Sequence, residues 1–215
     1  SGAIMAGVEQ FEVTVKGISA HAARPDLGVD TVLVITTVIN NLQNIISRTV
    51  SPFQSAVLSV THIDVGNTWN VLPAKGFFEG TIRTFDPEVR LSVIDKFTKV
   101  VQTTAEQFGA EVDIIWGNSP KVTFNDATIT PLIFENSKKF AEVIETLPST
   151  GGEDFAAYQE KIPGVFAFVG ANGAEQAPDW HHDDFIVRDE ALPVAVNYFV
   201  ESALYLLEYY GESYA

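Results

Sequence analysis

Histidine is scarce in this 215-residue chain, and four copies bound its chemistry: His21, His62, His181 and His182. His181 and His182 stand in PDWHHDDF, directly after an apolar run that reads as a buried strand. Imidazole nitrogens beside carboxylates form a donor set suited to zinc or manganese. The same segment also reads as a solvated polar loop. Neighbouring side chains on an extended backbone point to opposite sides, so at most one of the two histidines is expected to ligate. His21 lies in GISAHAARPD, among small residues that let a side chain project or a backbone approach closely. His62 alternates along a strand without helpful neighbours and reads as structural.

Arg83, in EGTIRTF, is set among apolar and small residues. A half-buried guanidinium there wants a carboxylate or phosphate, supplied by the protein or by a substrate. Asn70, in WNVLP, is placed to donate its amide or to shape a turn. Gly151 and Gly152 open GGEDF, a turn-rich loop entering a short helix. Its acids suit a helix N-terminus, and its glycines suit the wall of a substrate site. P-loop, nucleophile-elbow and HExxH patterns are absent from the sequence.

The elements that must position these residues follow from hydrophobic period. EQFEVTVK (9–16) alternates as a strand, and VDTVLVITTVINNLQNIIS (29–47) has helical spacing, with Asp26 or Asp30 as its cap. Strands are expected over 55–65 and 74–85, separated by Gly66, Asn67 and Pro73. A second helix begins at Pro87 and ends at Gly109, and EVDIIW (111–116) is a fourth strand. The order β-α-β-β-α-β is the split βαβ or ferredoxin-like pattern, whose edge strands need a cover such as a second subunit. Beyond it, the sequence predicts a helix over 128–144, a buried strand over 163–170, a polar loop over 171–184 and a helix over 189–209. One strand with three helices is an incomplete α/β layer whose other strands lie elsewhere.

Net charge is −15, which disfavours nucleic acid and anionic membrane surfaces as partners. No apolar run approaches the roughly 20 residues that span a bilayer. The absence of cysteine excludes disulfides within the chain and fits a cytoplasmic protein.

FEVTVKGISAHAARP, NVLPAKGFFEGTIRTFD, GGEDFAAY, PGVFAFVG and HHDDFIVRDEAL occur in this order, and together they resemble the M20 metallopeptidase family. Its branch of aminoacylases, hippurate hydrolases and auxin-conjugate hydrolases is the most similar. The resemblance implies a catalytic-domain connection over 1–8, a ferredoxin-like lid and dimerisation domain over 9–117, and the C-terminal part of a zinc-peptidase-like catalytic domain over 118–215. It implies hydrolysis of an N-acyl amino acid or small peptide by water activated on two divalent ions, whether Zn, Mn or Co. In that scheme His21 polarises the scissile carbonyl, often in the partner subunit's site. Asn70 and Arg83 bind substrate, the arginine through a carboxylate. Gly151 and Gly152 line the pocket, and His181 ligates one metal. The other ligands and the general-base glutamate are expected in an N-terminal half outside this chain. Two departures stand out: Asp183 replaces the proline usual in the family's HxPxF, and Trp69 is bulkier than its usual counterpart. A homodimer through the lid is implied. The rival reading is a non-catalytic module for dimerisation or small-carboxylate binding.

Overall fold

The computed structural model describes residues 1–118, 120–173 and 178–213. Gly2–Met5 forms β1, Gly7–Lys16 β2 and Ala20–His21 β3. A 3-10 turn, Pro25–Leu27, leads to helix α1 (Thr31–Asn44), which runs on into a π-helical turn, Ile45–Thr49. Then come β4 (Ala56–Val65), β5 (Val71–Leu72), β6 (Lys75–Thr84), α2 (Pro87–Gln107) and β7 (Glu111–Trp116). β8 (Thr123–Asn125), α3 (Ile129–Ser137), α4 (Ala156–Gln159) and α5 (Ala191–Ser213) complete the chain.

The long elements form an antiparallel sheet in the order β4-β6-β2-β7. Their sequence β2-α1-β4-β6-α2-β7 is the β-α-β-β-α-β order expected from periodicity. Of the two candidate caps, Asp30 takes the role: its carboxylate accepts from Val32 N at 3.0 Å and Leu33 N at 3.2 Å. Asp86 does the same for α2, with Pro87 in the first turn, where its missing N–H costs nothing. Gly109, at φ +74°, closes α2 in the left-handed conformation that a side chain disfavours.

Alternation along β2 drives Phe11, Val13 and Val15 into a core shared with Val34, Val38 and Leu42 of α1 and Val93, Phe97 and Val101 of α2. Phe11 and Phe97 rings lie 4.5 Å apart, and Trp116 closes on Phe97 at 5.2 Å. Each such buried side chain contributes roughly 1.5–3 kcal/mol. One charged pair also enters this unit: Glu9 of β2 is buried, and its carboxylate binds the Arg90 guanidinium of α2.

The chain divides into two compact units. One comprises Met5–Thr123 with Pro148–Ala157, so the GGEDF loop packs with the sheet rather than with the segment expected over 118–215. The other comprises Ser1–Ile4, Phe124–Leu147 and the described part of Tyr158–Ala215. In that second unit α3 stops at Ser137 rather than near 144, and Asn136 in its last turn donates its side-chain amide to the Glu201 carbonyl of α5 at 3.2 Å. The stretch 163–170 does not form the expected strand. It lies beside Asn125 instead, whose amide donates to Phe166 O at 2.9 Å and whose carbonyl accepts from Phe166 N at 2.7 Å. A single side chain thus satisfies both backbone groups, as a neighbouring strand would. The polar loop expected over 171–184 lies partly outside the described residues.

Candidate functional site

β2 and β6 pair from Gly7↔Thr84, next to Val8↔Arg83, at one end to Lys16↔Lys75 at the other. That ladder separates the site residues of the sheet unit into two groups. Beyond the Lys16 end, β3 and β5 form a short arm that pairs Ala20 with Leu72 and His21 with Val71. Ala22 N donates to Asn70 O at 3.0 Å, which draws His21 and Asn70 together. No sequence pattern marks this arm, because two-residue strands have no readable period.

Local hydrogen bonds fix which atoms the arm presents. His21 Nδ1 accepts from Ala23 N at 3.1 Å, so the neutral ring carries its proton on Nε2. Asn70 Oδ1 accepts from Thr68 Oγ1 at 3.2 Å, which leaves the Asn70 amide N–H groups as donors. Both side chains therefore offer N–H to an incoming oxygen. Nearby, Arg24 grips Asp26 through two hydrogen bonds of 3.0 and 2.9 Å. That bond holds the Asp26 carboxyl below its ordinary range and the Arg24 guanidinium above its own. The two charges cancel next to the arm.

Arg83 stands at the opposite end. Eight residues separate it from Lys75 along β6, about 26 Å at the rise of an extended strand. Among the described residues no carboxylate forms an ion pair with it. Its neighbour is Gly152: a Cβ there would come 3.6 Å from Arg83 Nη1 and would collide with the Val8 side chain. The loop is pinned by Ala6 N donating to Ser149 O and by Gly151 N donating to Ser149 Oγ, at 3.0 and 3.1 Å. The structure therefore joins Gly152 to Arg83, and His21 to Asn70, with the two pairs far apart. Glu153 accepts from Phe155 N at 3.3 Å, as an acid at a helix start does. His62 contacts Glu79 at 3.0 Å on the open face of the sheet, away from both groups.

His181 lies in the other unit, in a tight turn rather than an extended segment, at φ +64°. It is the one non-glycine residue with positive φ among those described, a conformation that costs about 1–2 kcal/mol. His182 is engaged locally: its Nδ1 accepts from Asp184 N at 3.2 Å and lies 3.1 Å from Asp183 Oδ1. The His181 ring has no hydrogen-bond partner among the described residues. His182, Asp183 and Asp184 could bring ligand atoms within 4.8 Å of one another, but all three are exposed. An imidazole with carboxylates alongside fits one position on a divalent ion.

Residues 6–109 match the family model of the M20 peptidase dimerisation domain. The chain is 42% identical over 214 residues to N-acetyl-L-cysteine deacetylase of Bacillus subtilis, covering 99% of this chain and 51% of that protein. It is 33% identical to IAA-amino acid hydrolase ILR1-like 5 of Arabidopsis thaliana, over 96% of this chain and 50% of that protein. Among solved structures, the Bacillus subtilis YXEP protein, a dinuclear metal binding peptidase from the M20 family, superposes with a TM-score of 0.79 at 35% identity. That superposition covers 97% of this chain and 52% of the YXEP chain. Residues 6–109 thus carry an M20 peptidase dimerisation domain, the chain as a whole is similar to M20 amidohydrolases, and it spans about half the length of the relatives it matches. No helix of the described residues is long and apolar enough to cross a membrane.

Proposed function

We propose that this chain supplies the carbonyl-polarising and carboxylate-binding groups of a metal-dependent amidohydrolase that cleaves N-acyl amino acids or small peptides. The observation that carries the reading is the β3–β5 arm, where His21 Nε2–H and the Asn70 amide are both left as donors. Donors preset toward a carbonyl oxygen stabilise the negative charge that develops there when water attacks. Arg83 binds the substrate carboxylate, and Gly152 leaves the space beside the guanidinium open. His181 holds one of two divalent ions, whose chemistry when bound is to activate the attacking water. The remaining ligands and the proton-accepting glutamate come from the half of the enzyme that lies outside these residues.

His21 and Arg83 cannot reach one substrate within a single lid, because the length of β6 separates them. A two-fold dimer resolves this. β4 is a ten-residue edge strand, with β6 on one side and nothing on the other among the described residues. Two-fold pairing of β4 with its copy is antiparallel, so the Val65 end of one protomer meets the Ala56 end of the other. Ala56 and Val57 pair with Thr84 and Arg83 of their own sheet. One protomer's His21 arm is thereby carried toward the partner's Arg83. The match to a dimerisation domain supports this arrangement.

The test is His21→Ala in the full-length, metal-loaded enzyme, assayed on N-acyl amino acids. The expected result is a fall in kcat of about 10²–10³-fold with metal content unchanged. Mixing His21→Ala with Arg83→Ala protein should regain activity, because a mixed dimer holds one intact site. Unchanged kcat in His21→Ala removes the proposed role, and absence of recovery removes the shared site.

A further inference from the structure

Trp69 adjoins Asn70 at the tip of the His21 arm, and its indole is 91% exposed. Exposing so large an apolar surface is unfavourable unless something covers it in use. The indole borders an open recess of about 420 Å³, walled also by Val32, Val65, Val71, Leu72 and Pro73. The acid at its edge, Asp30, is already committed to the backbone N–H groups of Val32 and Leu33. The recess is thus mixed in character: the indole and these aliphatic side chains stand beside the polar Asn67 and Thr68, with an anionic rim that disfavours a second negative charge.

We infer that this recess is the acyl subsite, with Trp69 as the wall that selects neutral apolar acyl groups larger than acetyl. The inference rests on the reading of His21 and Asn70 as the groups that bind the scissile carbonyl. An N-acyl amino acid extends from that carbonyl in two directions. Its carboxylate goes to the partner's Arg83, which the two-fold pairing carries toward the His21 arm. The recess belongs to the protomer that supplies His21 and Asn70, so the acyl chain is the part of the substrate that enters it. Stacking an alkyl or aryl acyl group on the indole removes apolar surface of both from water.

The experiment compares N-hexanoyl and N-acetyl forms of one amino acid as substrates of the full-length enzyme and its Trp69→Ala and Trp69→Phe variants. Trp69→Ala is expected to lower kcat/KM for the hexanoyl substrate by about tenfold or more, while changing the acetyl substrate by less than about threefold. Trp69→Phe should keep most of the preference. Equal losses on both substrates, or none on either, overturn the inference while leaving hydrolysis intact. If the wild-type enzyme cleaves neither compound, the hydrolase reading fails, and calorimetric binding of the same two compounds decides the recess. Tighter binding of the hexanoyl form that vanishes in Trp69→Ala then upholds the subsite, and equal binding of the two forms overturns it.

Discussion

The sheet unit and the C-terminal unit answer the same physical demand in opposite ways. The first seals its apolar residues between one sheet face and two helices, with Phe11, Phe78 and Phe97 fully buried. The second ends in a 23-residue helix, α5, whose apolar residues remain in contact with water. Phe199 and Leu207 are each 71% exposed, and Leu192, Val196 and Leu204 are more than half exposed. α3 covers α5 only in part, Asn136 bonding the Glu201 carbonyl, so much of a helix patterned to bury a stripe stays uncovered among the described residues. The pattern agrees with a chain that spans about half the length of its relatives. The sheet unit thus buries its apolar residues through its own contacts, whereas the C-terminal unit leaves much of the apolar surface of α5 uncovered among the described residues.

This contrast can be broken at several points. The largest effect is expected from Phe97→Ala, which removes the ring between Phe11 and Trp116. It should destabilise the sheet unit by about 3–5 kcal/mol, read as a fall in the denaturant midpoint. A loss near zero would mean that the core is not the continuous one described. Next comes Arg90→Ala, which strands the buried Glu9 carboxylate. A loss of about 3 kcal/mol is expected, and Glu9→Leu with Arg90→Met should recover much of it. Recovery separates the penalty of an unpaired charge from the strength of the pair. The smallest effect should come from Leu207→Ser in this chain, within about 0.5 kcal/mol. A large destabilisation there would show that the face is already covered, for instance by self-association, and would remove the contrast. Hydrogen exchange sharpens it in one measurement: amides of β2, β6 and α2 should be protected far longer than those of α5.

The sheet unit was largely legible in the sequence. Phe11, Val13 and Val15 alternate, and VDTVLVITTVINNLQNIIS keeps helical spacing. Local period and caps coincide there with what packing demands, so element order and most boundaries followed. Legibility failed where elements depend on partners. PGVFAFVG is apolar enough for a strand, but a strand exists only by its ladder, and here Asn125 supplies the two bonds instead. The helix expected over 128–144 ends at Ser137, and the bond from Asn136 in its last turn to the Glu201 carbonyl of α5 is a contact that no local pattern encodes.

The candidate site divides along the same line. Residue types named the chemistry: imidazole for metal or carbonyl, guanidinium for carboxylate, glycine for close approach. The candidate set His21, Asn70, Arg83, Gly151, Gly152 and His181 was thus read from residue types, and its roles from the resemblance of the ordered motifs. Grouping was left to the tertiary structure. Register along β2 and β6 set His21 with Asn70 and Arg83 with Gly152, and kept the pairs the length of a strand apart. Distance in space arises from pairing between remote segments, and neither composition nor spacing along the chain contains that information.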